Sequence, residues 1–157
     1  MSDAHWHLIL SHLPILGVPF GAALLAAGLW RRNLTLQRAA LVILILAGLA
    51  AGLAYLTGES AEHALENMAG RPESLIEPHE EAALAAAIGT GLLACLSAGA
   101  LWLLRRGRFG PSWGWGTMAL AIGVSLALAW VATLGGRISH PEIRPDHQAY
   151  QLTPTED

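Results

Sequence analysis

Residues 5–32, HWHLILSHLPILGVPFGAALLAAGLWRR, decide the fold: from Leu8 to Trp30 there is no Asp, Glu, Lys or Arg, and the run closes on two arginines. A helix needs about 20 apolar residues to cross the hydrocarbon core of a bilayer, and this stretch supplies them. Three more stretches almost free of charge follow, Leu34 to Leu56, Ala82 to Leu104 and Trp113 to Leu134. A chain of 157 residues that is 54% hydrophobic and only 13% charged does not describe an ordinary soluble domain. The expectation is an all-α integral membrane four-helix bundle, a single domain with spans at about 8–30, 34–56, 82–104 and 113–134. It has an outer loop at 57–81 and an outer tail at 135–157, and no segment outside the spans is long enough for a second core.

Charge placement orients it. Arg31, Arg32 and Arg38 flank the first turn, Arg105, Arg106 and Arg108 flank the third, and neither turn holds an acid. Basic short turns stay in the cytoplasm, so both termini are expected in the periplasm of a bacterial inner membrane, the chain being multi-pass. The N-terminus has no basic leader and no small-residue cleavage site before the apolar run, which predicts an uncleaved first span. All 12 acids fall on the outer side with Arg71, Arg137 and Arg144. An acidic outer face and basic turns explained by orientation exclude nucleic acid as a partner. The lipid bilayer is the first partner.

All seven histidines, His5, His7, His12, His63, His79, His140 and His147, lie on that same outer side. They come from the start of span one, the loop before span three and the tail after span four, whose outer ends must be neighbours. His12 sits about one turn inside span one, where an imidazole is costly without a partner. Pro14 and Pro19 each remove an N–H and clash with the preceding turn, which predicts a kink just after His12 that aims it inward. In TGESAEHALENMAG, Glu59, Glu62, His63 and Glu66 follow helical i, i+3, i+4, i+7 spacing and form one polar stripe, with Gly70 as a stop. Metal-binding bundles use such faces, and an ordinary solvated helix face reads the same way. In IEPHEEAALAAA, Pro78 suits the first turn of span three, and Glu80 and Glu81 favour its positive N-terminal end. That dipole does nothing for His79, so a ligand role explains it better. His140, just past span four, is placed to fold back over the bundle. His7 and His147 read as surface residues.

The middles of the spans carry no ionisable side chain, which argues against a proton-coupled pump or transporter. The inner half has no histidine for a second haem, and the single Cys95 rules out Cys-rich metal sites, leaving imidazole and carboxylate ligands. No nucleophile, base and orienter arrangement and no phosphate-cradling glycine loop is present. Gly17 with Gly21 and Gly48 with Gly52 are spaced as small-xxx-small pairs. They read as close helix contacts, as faces for a homo-oligomer, or as room for a flat macrocycle at the level of His12. Trp6, Trp30, Trp102, Trp113 and Trp115 lie near span ends as an interfacial belt.

The pattern SHLPILGVPFG, with TGE at Thr57 to Glu59 and HEEAA at His79 to Ala83, resembles a family of small bacterial four-span membrane proteins of unassigned function. The resemblance covers most of the chain and implies the same architecture, with His12, Glu59 and His79 as the positions of interest. Four-helix b-type cytochromes are similar in outline only, because their paired histidines deep in two helices are not matched.

The functional expectation is a redox or electron-transfer protein holding haem b at the outer histidine cluster, through His12, His79, His63 and His140, with quinone or a periplasmic electron carrier as partner. The alternatives are a non-haem Fe, Cu or Zn ion on His12, Glu59, Glu62, His63 and His79, or a structural or assembly subunit without cofactor.

Overall fold

The structure, a computed structural model, describes residues 3–65 and 73–144. Four long helices occupy them: α1 (Asp3–Trp30), α2 (Leu34–Leu65), α3 (Glu73–Arg105) and α4 (Pro111–Ser139), followed by a short 3-10 turn, Pro141–Ile143. No strand occurs among the described residues. All four helices are long and apolar enough to cross a membrane. Each packs on the next in sequence, and α4 closes back on α1, giving an antiparallel up-down bundle in which α1 and α2 make the most extensive contact.

The core is built from small and medium residues. Val18, Ala22 and Leu25 of α1 meet Ala40, Leu44 and Ala47 of α2, Ala86 and Leu93 of α3, and Met118, Ala121, Val124 and Leu128 of α4. The outward faces are equally apolar: Leu16, Phe20, Leu46, Leu49, Ile88, Leu92, Ile122 and Leu126 are all exposed. Such a surface is stable against lipid rather than water. The hydroxyls of Thr90, Thr117, Ser125 and Thr133 each donate to the carbonyl four residues back, so these polar groups are satisfied within their own helices.

Two tight turns close the arginine-rich end, and both use the same device. Asn33 N–H donates to Gly28 O at 2.9 Å and Arg32 N–H to Leu29 O at 3.2 Å, with Arg32 at φ 50°. Arg108 N–H donates to Leu103 O at 2.9 Å and Gly107 N–H to Leu104 O at 3.3 Å, with Gly107 at φ 67°. These are Schellman closures, which satisfy the last carbonyls of α1 and α3. Asn33 Oδ1 then accepts from the N–H groups of Thr35 and Leu36 and caps α2. The buried Gln37 donates from Nε2 to Gly28 O at 2.9 Å, tying α2 to the end of α1.

Glycines set the helix separations. A Cβ at Gly17 would meet Ala47, one at Gly21 would meet Leu44 at 2.8 Å, and one at Gly48 would collide with Ala94 of α3. Three of the four paired glycines therefore serve contacts inside this chain; only Gly52 faces open space.

The helices outrun the apolar stretches. α2 continues to Leu65 and α3 begins at Glu73, so much of the expected 57–81 loop is helical, and α4 runs five residues past Leu134. Hydropathy marks where lipid ends, not where backbone hydrogen bonding ends. Pro78 is consequently inside α3 rather than in its first turn. α1 is likewise one helix through Pro14 and Pro19.

Candidate functional site

Counting outward from the turns shows which residues meet at the far end. His7 and Thr57 are equidistant from Arg32, and His79 and Gly135 are equidistant from Gly107, so antiparallel hairpins bring each pair to one level.

His7 is half-buried, and its Nδ1–H donates to Ala54 O of α2 at 2.9 Å. Thr57 Oγ1 donates to the same carbonyl at 3.0 Å. A Cβ at Gly58 would lie 3.5 Å from His7 Cε1, so the ring rests on the bare α carbon of that glycine. Thr57 and Gly58 of the TGE motif thus form the seat of an α1 imidazole. Because Nδ1 carries the proton, the Nε2 of neutral His7 presents a lone pair.

His79 stands in the second turn of α3, and its ring lies against α4. A Cβ at Gly135 would lie 3.1 Å from His79 Cε1. Glycine at that position lets the ring lie directly against the α4 backbone. Nδ1 of His79 is buried and has no hydrogen-bond partner. Two imidazoles, on helices that do not follow one another in the chain, therefore share one end of the bundle. The first is held by a backbone carbonyl of α2 and the second packs on Gly135 of α4.

The residue given most weight from sequence sits elsewhere. His12 is exposed, and its Nδ1 is bound to Leu8 O of its own helix at 2.6 Å, the carbonyl that also accepts from Ser11 Oγ. The prolines do not turn it inward. Five residues of helix rotate about 500°, so His12 points about 140° away from His7; one of them can face the bundle, and it is His7. The reading of His7 as a surface residue is corrected accordingly.

His140 is also outside the pair. It follows α4, is exposed, and meets Glu142 Oε1 at 3.0 Å, a contact of little energetic weight in solvent. The chain does fold back here, but through Ile143, which lies over Gly136, and Arg144, which donates to Arg137 O at 2.8 Å and Ile138 O at 3.1 Å. Glu59, Glu62 and His63 lie on the last turns of α2, at the same end as His7; their side chains, and all of Glu66, Gly70 and His147, lie outside the described residues. Among the described residues, no group of three or more His, Cys, Asp or Glu is arranged to hold a metal ion. A shallow groove lined by Leu96, Ser112, Trp113 and Gly116 opens near the arginine-rich end, away from the histidines.

Comparison with family models, curated proteins and solved structures finds no match for this chain.

Proposed function

We propose that the chain is a multi-pass membrane protein that holds a metal ion at the histidine-rich end of its bundle, on the periplasmic side of a bacterial inner membrane. The observation that carries this reading is the buried Nδ1 of His79, which has no hydrogen-bond partner. A buried polar atom left unsatisfied costs about 1–3 kcal/mol, and a cation is a partner that a bare imidazole lone pair accepts.

A non-haem ion is preferred to haem b because the paired histidines deep in two helices that four-helix b-type cytochromes use are not matched in this chain. With iron or copper the centre carries one-electron chemistry, with quinone or a periplasmic carrier as partner; with zinc its role is binding. The kinship with small bacterial four-span proteins belongs to the same proposal, since Thr57, Gly58 and His79 of the shared pattern gather at this end.

The test is elemental analysis with oxidised and reduced absorption spectra of protein purified without chelators. About one equivalent of a transition metal and no Soret band is expected. A Soret band returns the haem reading. Neither signal leaves the assembly subunit as the function.

A further inference from the structure

We propose that the arginine-rich end of the bundle binds one anionic phospholipid, with its phosphate on Arg106 and Arg108 and an acyl chain in the groove between α3 and α4. This site lies at the opposite end from the histidines and does not depend on them. Arg31, Arg32, Arg38, Arg105, Arg106 and Arg108 all stand exposed around the two turns, and residues 29–56 and 82–118, which build this end, include no acid. The chain therefore offers these cations no partner of its own at this level. At a membrane surface the complementary charge is the phosphate of an anionic headgroup.

Basic turns alone would orient the chain without holding any one lipid; the α3–α4 seam is what makes a site. Gly99, Trp102 and Arg106 follow i, i+3, i+7 spacing and share one face of α3 and its last turn, where Arg106 N–H donates to Trp102 O at 3.2 Å. That face looks toward α4, since a Cβ at Gly99 would lie 3.9 Å from Trp113 Cζ3. Trp113 in turn lines the shallow groove with Leu96, Ser112 and Gly116, and a Cβ at Gly116 would meet nothing within 4 Å. Arg106 thus tops a mostly apolar channel that runs down into the span. Its guanidinium lies over the Trp102 ring, 4.7 Å from the centroid. Stacking uses the face of the guanidinium and leaves its in-plane N–H groups to fork onto phosphate oxygens. Arg108, in the connection to α4, supplies a second cation beside it. A soluble anion would use the arginines and leave the groove empty, whereas a phospholipid uses both.

The experiment uses the full chain, freed of any purification tag, in phosphatidylcholine nanodiscs carrying spin-labelled phosphatidylglycerol or, in parallel, spin-labelled phosphatidylcholine. Electron paramagnetic resonance of the motionally restricted label counts bound lipids and ranks their affinities. One phosphatidylglycerol held about 10-fold or more tighter than phosphatidylcholine is expected. Arg106→Lys keeps the charge but loses the planar fork, so that preference should fall about 3-fold or more, while Arg38→Lys in the other turn should leave it unchanged. Gly116→Leu fills the groove from a position with open space around it and should release the lipid. No preference in the parent, or an equal response in both lysine variants, would leave only diffuse surface charge and overturn the site. A lipid retained in Gly116→Leu overturns the place given to its chain, and displacement by millimolar glycerol phosphate overturns the lipid in favour of a soluble phosphate.

Discussion

Replacing Gly135 by alanine adds one methyl group at a place where its effect can be worked out in advance. The new Cβ would lie 3.1 Å from His79 Cε1, 3.5 Å from Nδ1 and 3.8 Å from Nε2. Carbon atoms rest at about 3.5–4.0 Å, so the ring must retreat from α4 by roughly 0.4 Å or more. Retreat moves the ring off the α4 backbone that seats it. In the proposed metal site a displaced imidazole should lower metal affinity by about 10-fold or more. Stability should hardly move, since alanine gains about 1 kcal/mol over glycine in a helix, which offsets mild overpacking of about the same size. Gly58→Ala is the matched control, because its Cβ would lie 3.5 Å from His7 Cε1, an ordinary contact. The assay is a Zn(II) competition titration with a chromophoric chelator in nanodiscs, beside thermal unfolding of each variant. Unchanged affinity in Gly135→Ala, or an equal loss in Gly58→Ala, would refute the argument from ring position.

Three other outcomes are expected. Gly28→Ala should lower the thermal midpoint by the equivalent of about 1–3 kcal/mol, because its Cβ would lie 2.9 Å from the backbone nitrogen of Gln37, which has no freedom to yield; an unchanged midpoint would mean the α1–α2 turn is looser than described. Arg144→Ala removes two donors from the last carbonyls of α4, so hydrogen exchange across residues 137–140 should quicken while the span itself stays protected; uniform exchange would contradict a local clamp. For topology, a reporter inserted at Arg32 or Gly107 should be active in the cytoplasm and one after Asp157 in the periplasm, and the reverse pattern would move the histidine-rich end to the other side.

Four spans and the segregation of arginine from histidine were legible because bilayer thickness and charge leave a direct imprint on composition. The inward histidine was not. α1 is apolar on every side, lipid-facing and core-facing residues being chemically alike, so no polar stripe reveals which of His5, His7 and His12 faces the bundle. Depth in the apolar run favoured His12, yet depth fixes only the level along the axis, and rotation about it fixes the partner. The missing signal was in the opposite helix: Gly58, equidistant with His7 from the turn within a residue, is the bare surface on which a ring can rest. Pro78 misled for a related reason, as a proline that suits a first turn also fits later in a helix when the helix starts outside the apolar region.

His7 donates a hydrogen bond to α2, and the His79 ring packs on Gly135 of α4, so each ring is seated inside its own helical hairpin. A hairpin entering the bilayer as a unit would already carry its imidazole in the finished pose. The helix ends that carry the rings meet only when the two halves dock along the α1–α4 and α2–α3 seams. A ligand that bridged the two halves at this end would act as a rivet across that seam, adding its binding free energy to the docking of the halves. A force that pried the halves apart would expel such a ligand, and a half-assembled chain would hold each ring already seated with nothing shared between them.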